Sequence, residues 1–211
     1  ISEDVKFSHH ADTIAVLDAL GLRQAALVGN SVGGVVALDA ALEVPERVAA
    51  LVTIGAIVPD HWPGMTPEEE AIEAEMEAAG EAGDPDVIAE LDVRAWVDGP
   101  AQPSDRVPED IRELVREMDR AINEPGRVRG QPQRRQPPPS EQLERLTMPV
   151  LAIAGTLDFS YHREATEHLA ASAPDARAVL MPGVAHLPAL EAPEELAAHL
   201  TAFLAPLPRW A

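Results

Sequence analysis

One short segment constrains this chain more than any other: Gly29-Asn30-Ser31-Val32-Gly33, followed by Gly34. It has the form G-x-S-x-G, comes directly after the apolar run 25–29, and opens the apolar stretch 32–43. That strand–turn–helix setting is the one in which such a motif carries meaning. A serine on so sharp a turn takes up a strained backbone that pushes its hydroxyl out over the sheet edge. The residues two before and two after then come close together, which predicts a need for glycine at Gly29 and Gly33. At the helix start, the Val32 amide points where an oxyanion would form. A phosphate loop of dinucleotide-binding type is the competing reading. It would need G-x-G-x-x-G, and Gly29, Ser31 and Gly34 miss the second glycine.

Three further apolar runs, at 51–54, 150–154 and 178–181, have the length and closing turn residues of buried strands. Helical stretches alternate with them at 11–20, 32–43, 162–171 and 194–204. The last has Pro193 at its start and Glu194 and Glu195 in its first turn, where the helix dipole favours them. Such alternation predicts an α/β fold, a mostly parallel sheet flanked by helices.

A serine nucleophile needs a base and an orienting acid. His186 follows the run 178–181 in the loop 182–188, at the C-terminal end of a parallel strand, where such sheets place their sites. Asp158 closes Ala154-Gly155-Thr156-Leu157-Asp158, again just past a strand end. Asp60, in the loop after the preceding strand, is the alternative acid. The other six histidines read as surface or capping residues: His9 and His10 before a helix, His61 in a loop, and His162, His168 and His199 within helices.

Between the second and third of these runs the composition changes. Residues 60–124 hold 20 acidic side chains against 5 arginines, most of the chain's net −20. Helical spacing recurs there at 68–79 and 111–122. A proline- and arginine-rich connection, 125–139, reads as irregular and without helix. The expected division is a core of residues 1–58 and 146–211 and a helical lid of residues 59–145. The acidic lid reads as a solvated face. Trp62 and Trp96 in the lid region and Phe159 beside Asp158 are candidates for a pocket wall. The acidic balance and the single lysine, Lys6, argue against nucleic acid. With no cysteine there is no disulfide framework or thiol nucleophile. Neither a membrane-spanning run nor a signal peptide is legible, so a cytoplasmic, membrane-free setting is expected.

Three segments together resemble the α/β-hydrolase family, in the group of small esterases, enol-lactonases, cofactor-free haloperoxidases and C–C bond hydrolases. They are 27–34, 150–158 and 182–195, and they keep the chain order Ser31, Asp158, His186. The resemblance implies a serine hydrolase of carboxylic esters or lactones. Ser31 would be the nucleophile, His186 the base, Asp158 the orienting acid and Val32 an oxyanion donor, with no cofactor or metal. A serine at the elbow sets it apart from the family's dehalogenases and epoxide hydrolases, which use aspartate there. Complete relatives begin with four more strands, and the loop after the third carries a His-Gly segment that gives the second oxyanion donor. Residues 1–24 hold no such segment. The expectation is a fold lacking those N-terminal strands, with 25–29 left as an edge to be covered by a second copy, a partner polypeptide or residues outside this sequence. Alone, such a chain would be dimeric or aggregation-prone and weakly active, since losing one oxyanion donor typically costs ~10²–10³ in rate. The alternative is a non-catalytic remnant or subunit that associates through the exposed sheet edge.

Overall fold

The computed structural model describes residues 3–123 and 130–207. Its centre is a four-stranded parallel sheet in the order β2-β3-β5-β6, formed by β2 (Ala25–Asn30), β3 (Val48–Ile54), β5 (Val150–Gly155) and β6 (Ala176–Met181). A second, minimal sheet pairs β1 (Lys6–Phe7) with β4 (Gln131–Pro132). The helices are α1 (His9–Ala19), α2 (Val32–Glu43), α3 (Pro67–Ala82), α4 (Pro85–Asp92), α5 (Glu109–Ile122), α6 (Ser160–Ser172), α7 (Pro188–Glu191) and α8 (Pro193–Leu204).

Side chains alternate across the sheet, so each strand feeds two cores. Leu51, Val150 and Ala152 pack with Leu38 and Leu42 of α2 and Leu169 of α6. Val52, Ile54, Leu151 and Ile153 face the other way, onto Leu196 and Phe203 of α8. Each such leucine or isoleucine taken from water adds roughly 1.5–3 kcal/mol. The central strands β3 and β5 are almost wholly buried, as their apolar runs predict. The outer two differ from the expectation of four buried strands: β2 is half-buried, with Val28 46% exposed, and β6 is open on part of its length. The reason is position, since each pairs on one side only among the described residues. Four apolar residues in a row specify a strand without saying where in the sheet it lies.

Residues 59–145 lie between β3 and β5 and are largely helical. The spacing at 68–79 and 111–122 becomes α3 and α5. Thr66 and Glu69 form a reciprocal cap on α3. Two elements were not anticipated, α4 and a π-helical turn, Val93–Asp98. In the expected irregular connection, 125–129 fall outside the described residues. The remainder contains β4 and a 3₁₀ turn, Pro139–Glu141. His9 and His10 open α1 instead of preceding it. Among the described residues, no helix is long and apolar enough to cross a membrane.

Candidate active site

All four strands of the main sheet run parallel, so the residues after β2, β3, β5 and β6 gather at one edge. Ser31 follows β2 directly, with φ 52° and ψ −123°. That is costly ground for a non-glycine residue, ~1–3 kcal/mol, and persists only where the surroundings impose it. Here the Ser31 amide donates to the Ile54 carbonyl (2.7 Å), while its own carbonyl accepts from Gly34 and Val35 as α2 begins. A Cβ on Gly29 would overlap the Gly33 carbonyl, so glycine is required at that position. The expectation for Gly33 does not hold. A Cβ there meets nothing within 4 Å, and the tight position is Gly34, where it would come 2.6 Å from the Ala56 Cβ. The Val32 amide, first in its helix, has no intrahelical partner.

Asp158 lies three residues beyond β5 and His186 five beyond β6. His186 Nδ1 is 2.9 Å from Asp158 Oδ2, and both side chains are buried. The His186 loop sits directly on β5, because a Cβ on Gly155 would overlap the Val184 and Ala185 carbonyls. Gly55, at the end of β3, fits this corner in the same way. Its φ is +54°, and a Cβ there would lie 3.0 Å from His186 Nδ1 and 3.2 Å from Asp158 Oδ2. Since the Ser31 amide bonds to Ile54, one residue separates the serine's anchor from the His–Asp pair. Asp60 is exposed and bonds no histidine among the described residues.

Sequence reasoning passed over His162. Instead of capping α6 or facing water, it is buried and gives a second imidazole to the same acid, with Nδ1 3.1 Å from Asp158 Oδ1. That oxygen also accepts the Phe159 amide at 2.8 Å. Burial works against an ionised carboxyl, but the hydrogen bonds from His162 and His186 outweigh it and bring the Asp158 pKa down to about 2. An ionised carboxylate only accepts, so both Nδ1 atoms carry protons. Burial lowers the pKa of His162, with the Asp158 charge only partly compensating. Asp158, His162 and His186 are also the one trio of metal-ligating side chains among the described residues. Their hydrogen bonds account for the cluster without a cation.

The helical segment reaches into this corner at three points. The Trp96 carbonyl accepts the His186 amide (3.2 Å), and the Trp96 ring lies 4.7 Å from the His186 ring. Arg106 donates to the Asp98 and Gly183 carbonyls and to Glu191 Oε2 (2.5 Å), whose carboxylate also receives the Ala185 and Leu187 amides on either side of His186. Glu69, buried at the start of α3, accepts the Ser160 amide at 2.5 Å and its hydroxyl, fixing the N-terminus of α6 two residues past the acid. Only spacing could have flagged His162, four residues after Asp158 in the first turn of the helix that follows it. Nothing local marks Glu69 or Arg106.

A cavity of about 450 Å³ opens beside Ser31. Val32, Val35, Val36, Ile57, Trp62, Trp96 and Tyr161 line it, together with His162 and Gly55. Trp62 and Trp96 are thus on the wall. Phe159 is fully buried, against Trp96 and Tyr161.

Comparison with known proteins follows the same lines. The sequence profile of the α/β hydrolase fold matches residues 3–193. Rhodomycin D methylesterase DauP of Streptomyces sp. (strain C5) is 31% identical over 215 aligned residues, taking in 90% of this chain and 70% of that protein. A 2-hydroxymuconate semialdehyde hydrolase of Pseudomonas putida is 54% identical over 44 residues, 21% of this chain and only 16% of that protein's length. Among solved structures, a hydrolase from Pseudomonas aeruginosa PA01 superposes with a TM-score of 0.67 at 26% identity, over 95% of this chain and 73% of that one.

Proposed function

Because this chain belongs to the α/β-hydrolase fold family, we propose that it is a serine hydrolase of carboxylic esters or lactones. The observation that carries the reading is the His186–Asp158 hydrogen bond, set at the same sheet edge as the strained Ser31 turn. Ser31 Oγ attacks the carbonyl while His186 Nε2 takes its proton. Asp158 holds the imidazole with Nδ1 protonated and stabilises the imidazolium that forms. The Val32 amide receives the oxyanion. His186 then returns the proton to the departing alkoxide, and water repeats the cycle on the acyl-enzyme. In this reading residues 59–145 are a cap, with Trp62 and Trp96 forming the apolar side of the pocket.

A second reading, a subunit that associates through its sheet edge without catalysis, draws on the half-open β2 with its exposed Val28. One experiment separates the two. A fluorophosphonate probe should label the protein at Ser31, and Ser31→Ala should remove the label while leaving the circular dichroism spectrum unchanged. Labelling that persists in the variant, or maps to another residue, rules out the hydrolase assignment.

A further inference from the structure

The mechanism uses one of the two imidazoles on Asp158 and leaves the other without a task. His162 is tightly placed. Its Nδ1–H is given to Asp158 Oδ1, and its ring lies 4.3 Å from Tyr161 and 4.6 Å from His186. With the proton on Nδ1, a neutral imidazole presents a lone pair at Nε2. Burial favours that neutral form. Among the described residues, no side chain or backbone group bonds His162 Nε2. Nor is the atom sealed in, since the one buried side-chain polar atom without a partner among the described residues is Asp39 Oδ1. His162 is part of the wall of the cavity beside Ser31.

The surroundings make this acceptor selective. Val32, Val35, Ile57 and Trp96 offer it nothing to bond. Of the cavity's other polar groups, His10 lies 4.0 Å from Asp39, which is eight residues along α2 from Ser31, or about 12 Å by helical rise, and Tyr161 gives its hydroxyl to Glu73. The His162 and His186 rings lie 4.6 Å apart, so in the hydrolase reading a group bonded to His162 Nε2 sits close to the ring that exchanges a proton with Ser31.

Resting on the hydrolase reading, we propose that His162 Nε2 accepts a substrate hydroxyl, so that this site takes esters or lactones of 2-hydroxy or 3-hydroxy acids. A pocket built to bond a hydroxyl discriminates against the analogue lacking it, because its acceptor is then left unpaired.

The test compares methyl esters of 2-hydroxybutanoic, 3-hydroxybutanoic and butanoic acids, followed by acid release, with fluorophosphonate labelling of Ser31 run alongside. The wild-type protein should favour one hydroxy ester over butanoate by at least about tenfold in kcat/KM. His162→Phe, which keeps a ring against Tyr161 and Trp96 but has no acceptor, should bring that ratio to near one, whatever its absolute rate. His162→Gln, which restores an acceptor, should recover part of it. A ratio unchanged in His162→Phe overturns the proposal, as does a wild-type protein with no preference. So does a wild-type protein that hydrolyses none of the three while Ser31 is still labelled. Absence of labelling in the wild type would instead count against the hydrolase reading itself. Should His162→Phe fail to fold, the ratio in His162→Gln decides alone: it must fall below the wild-type value, and an unchanged one overturns the proposal.

Discussion

The strand-end loops and the helical segment 59–145 meet at His186, but they hold it by different physics. On the sheet side the positions are local. Ser31, Asp158 and His186 sit at short, fixed offsets from strand ends, and glycines at 29, 55 and 155 let the loops close on one another. On the helical side everything is long-range. Arg106 reaches Glu191 across 85 residues, and Glu69 reaches Ser160 across 91. The sheet side brings Ser31, Asp158 and His186 to one edge, whereas the helical side fixes the loops around them. Changes on the first should abolish turnover with the fold intact. Changes on the second should cost stability and activity together.

The largest expected effect is on the sheet side. Asp158→Asn replaces an acceptor of three N–H groups with an amide that has one acceptor oxygen. At least one imidazole must change tautomer, and loss of the acid in such a triad costs about 10⁴ in kcat. Stopped turnover with a small change in melting temperature would fit the comparison. A loss below tenfold would mean that Asp158 does not orient the base. Ionisation of Asp158 itself adds stability that is complete above its ordinary pKa of 3.8 and is lost as pH falls through about 2. That contribution is therefore flat across neutral pH.

Arg106→Ala tests the helical side and should act on both measures. It leaves the Glu191 carboxylate and the Gly183 and Asp98 carbonyls without their guanidinium partner. Removing one member of a mostly buried pair costs about 3–5 kcal/mol. The loop carrying His186 loses its outer support as well, so a roughly tenfold fall in kcat/KM should accompany the lower melting temperature. An unchanged rate with lowered stability would show that the segment supports the fold alone and leaves the site undisturbed.

How much of this was legible in the sequence follows the same division. Gly29-Asn30-Ser31-Val32-Gly33 announces its turn because a sharp elbow demands glycine within two residues, and Asp158 and His186 could be found by counting from strand ends. Even there the tight contact fell at Gly34 and not Gly33, since which hydrogen meets a neighbour depends on where Ala56 packs. His162 was assigned to the surface because a lone histidine in a polar helix carries no mark of what lies four residues before it. Gly55, which nothing in the sequence distinguished from an ordinary turn glycine, abuts His186 only because β3 lies between β2 and β5. Half-burial of β2 and β6 is likewise a property of sheet order, which apolar runs do not encode.

The smallest effect lies within the helical segment, where an acid pair makes its stability depend on pH. Asp92, at the end of α4, accepts the Trp96 indole N–H (3.1 Å) and lies beside the like charge of Asp119 of α5. Burial first, and then the Asp119 hydrogen bond and charge, push the Asp92 pKa up to about 7. The folded state therefore holds a proton that the unfolded chain releases near 3.8. This contribution is complete below that pH and is lost as pH rises towards about 7, so the packing of α4 on α5 should weaken over that range. Asp119→Asn supplies an amide donor to Asp92 in place of a like charge and should lessen the dependence, leaving the part that burial causes. The expected gain over wild type is about 1 kcal/mol or less at pH 8, because the pair is only partly buried, and smaller at pH 5, where only part of the window has been crossed. Glu117→Gln, on the same helix but exposed, removes the same charge without touching the pair and serves as the control. Thermal melts of the three proteins at both pH values give the comparison. Parallel shifts for Asp119→Asn and Glu117→Gln would mean that relief of the overall negative charge, and not the Asp92–Asp119 pair, is responsible.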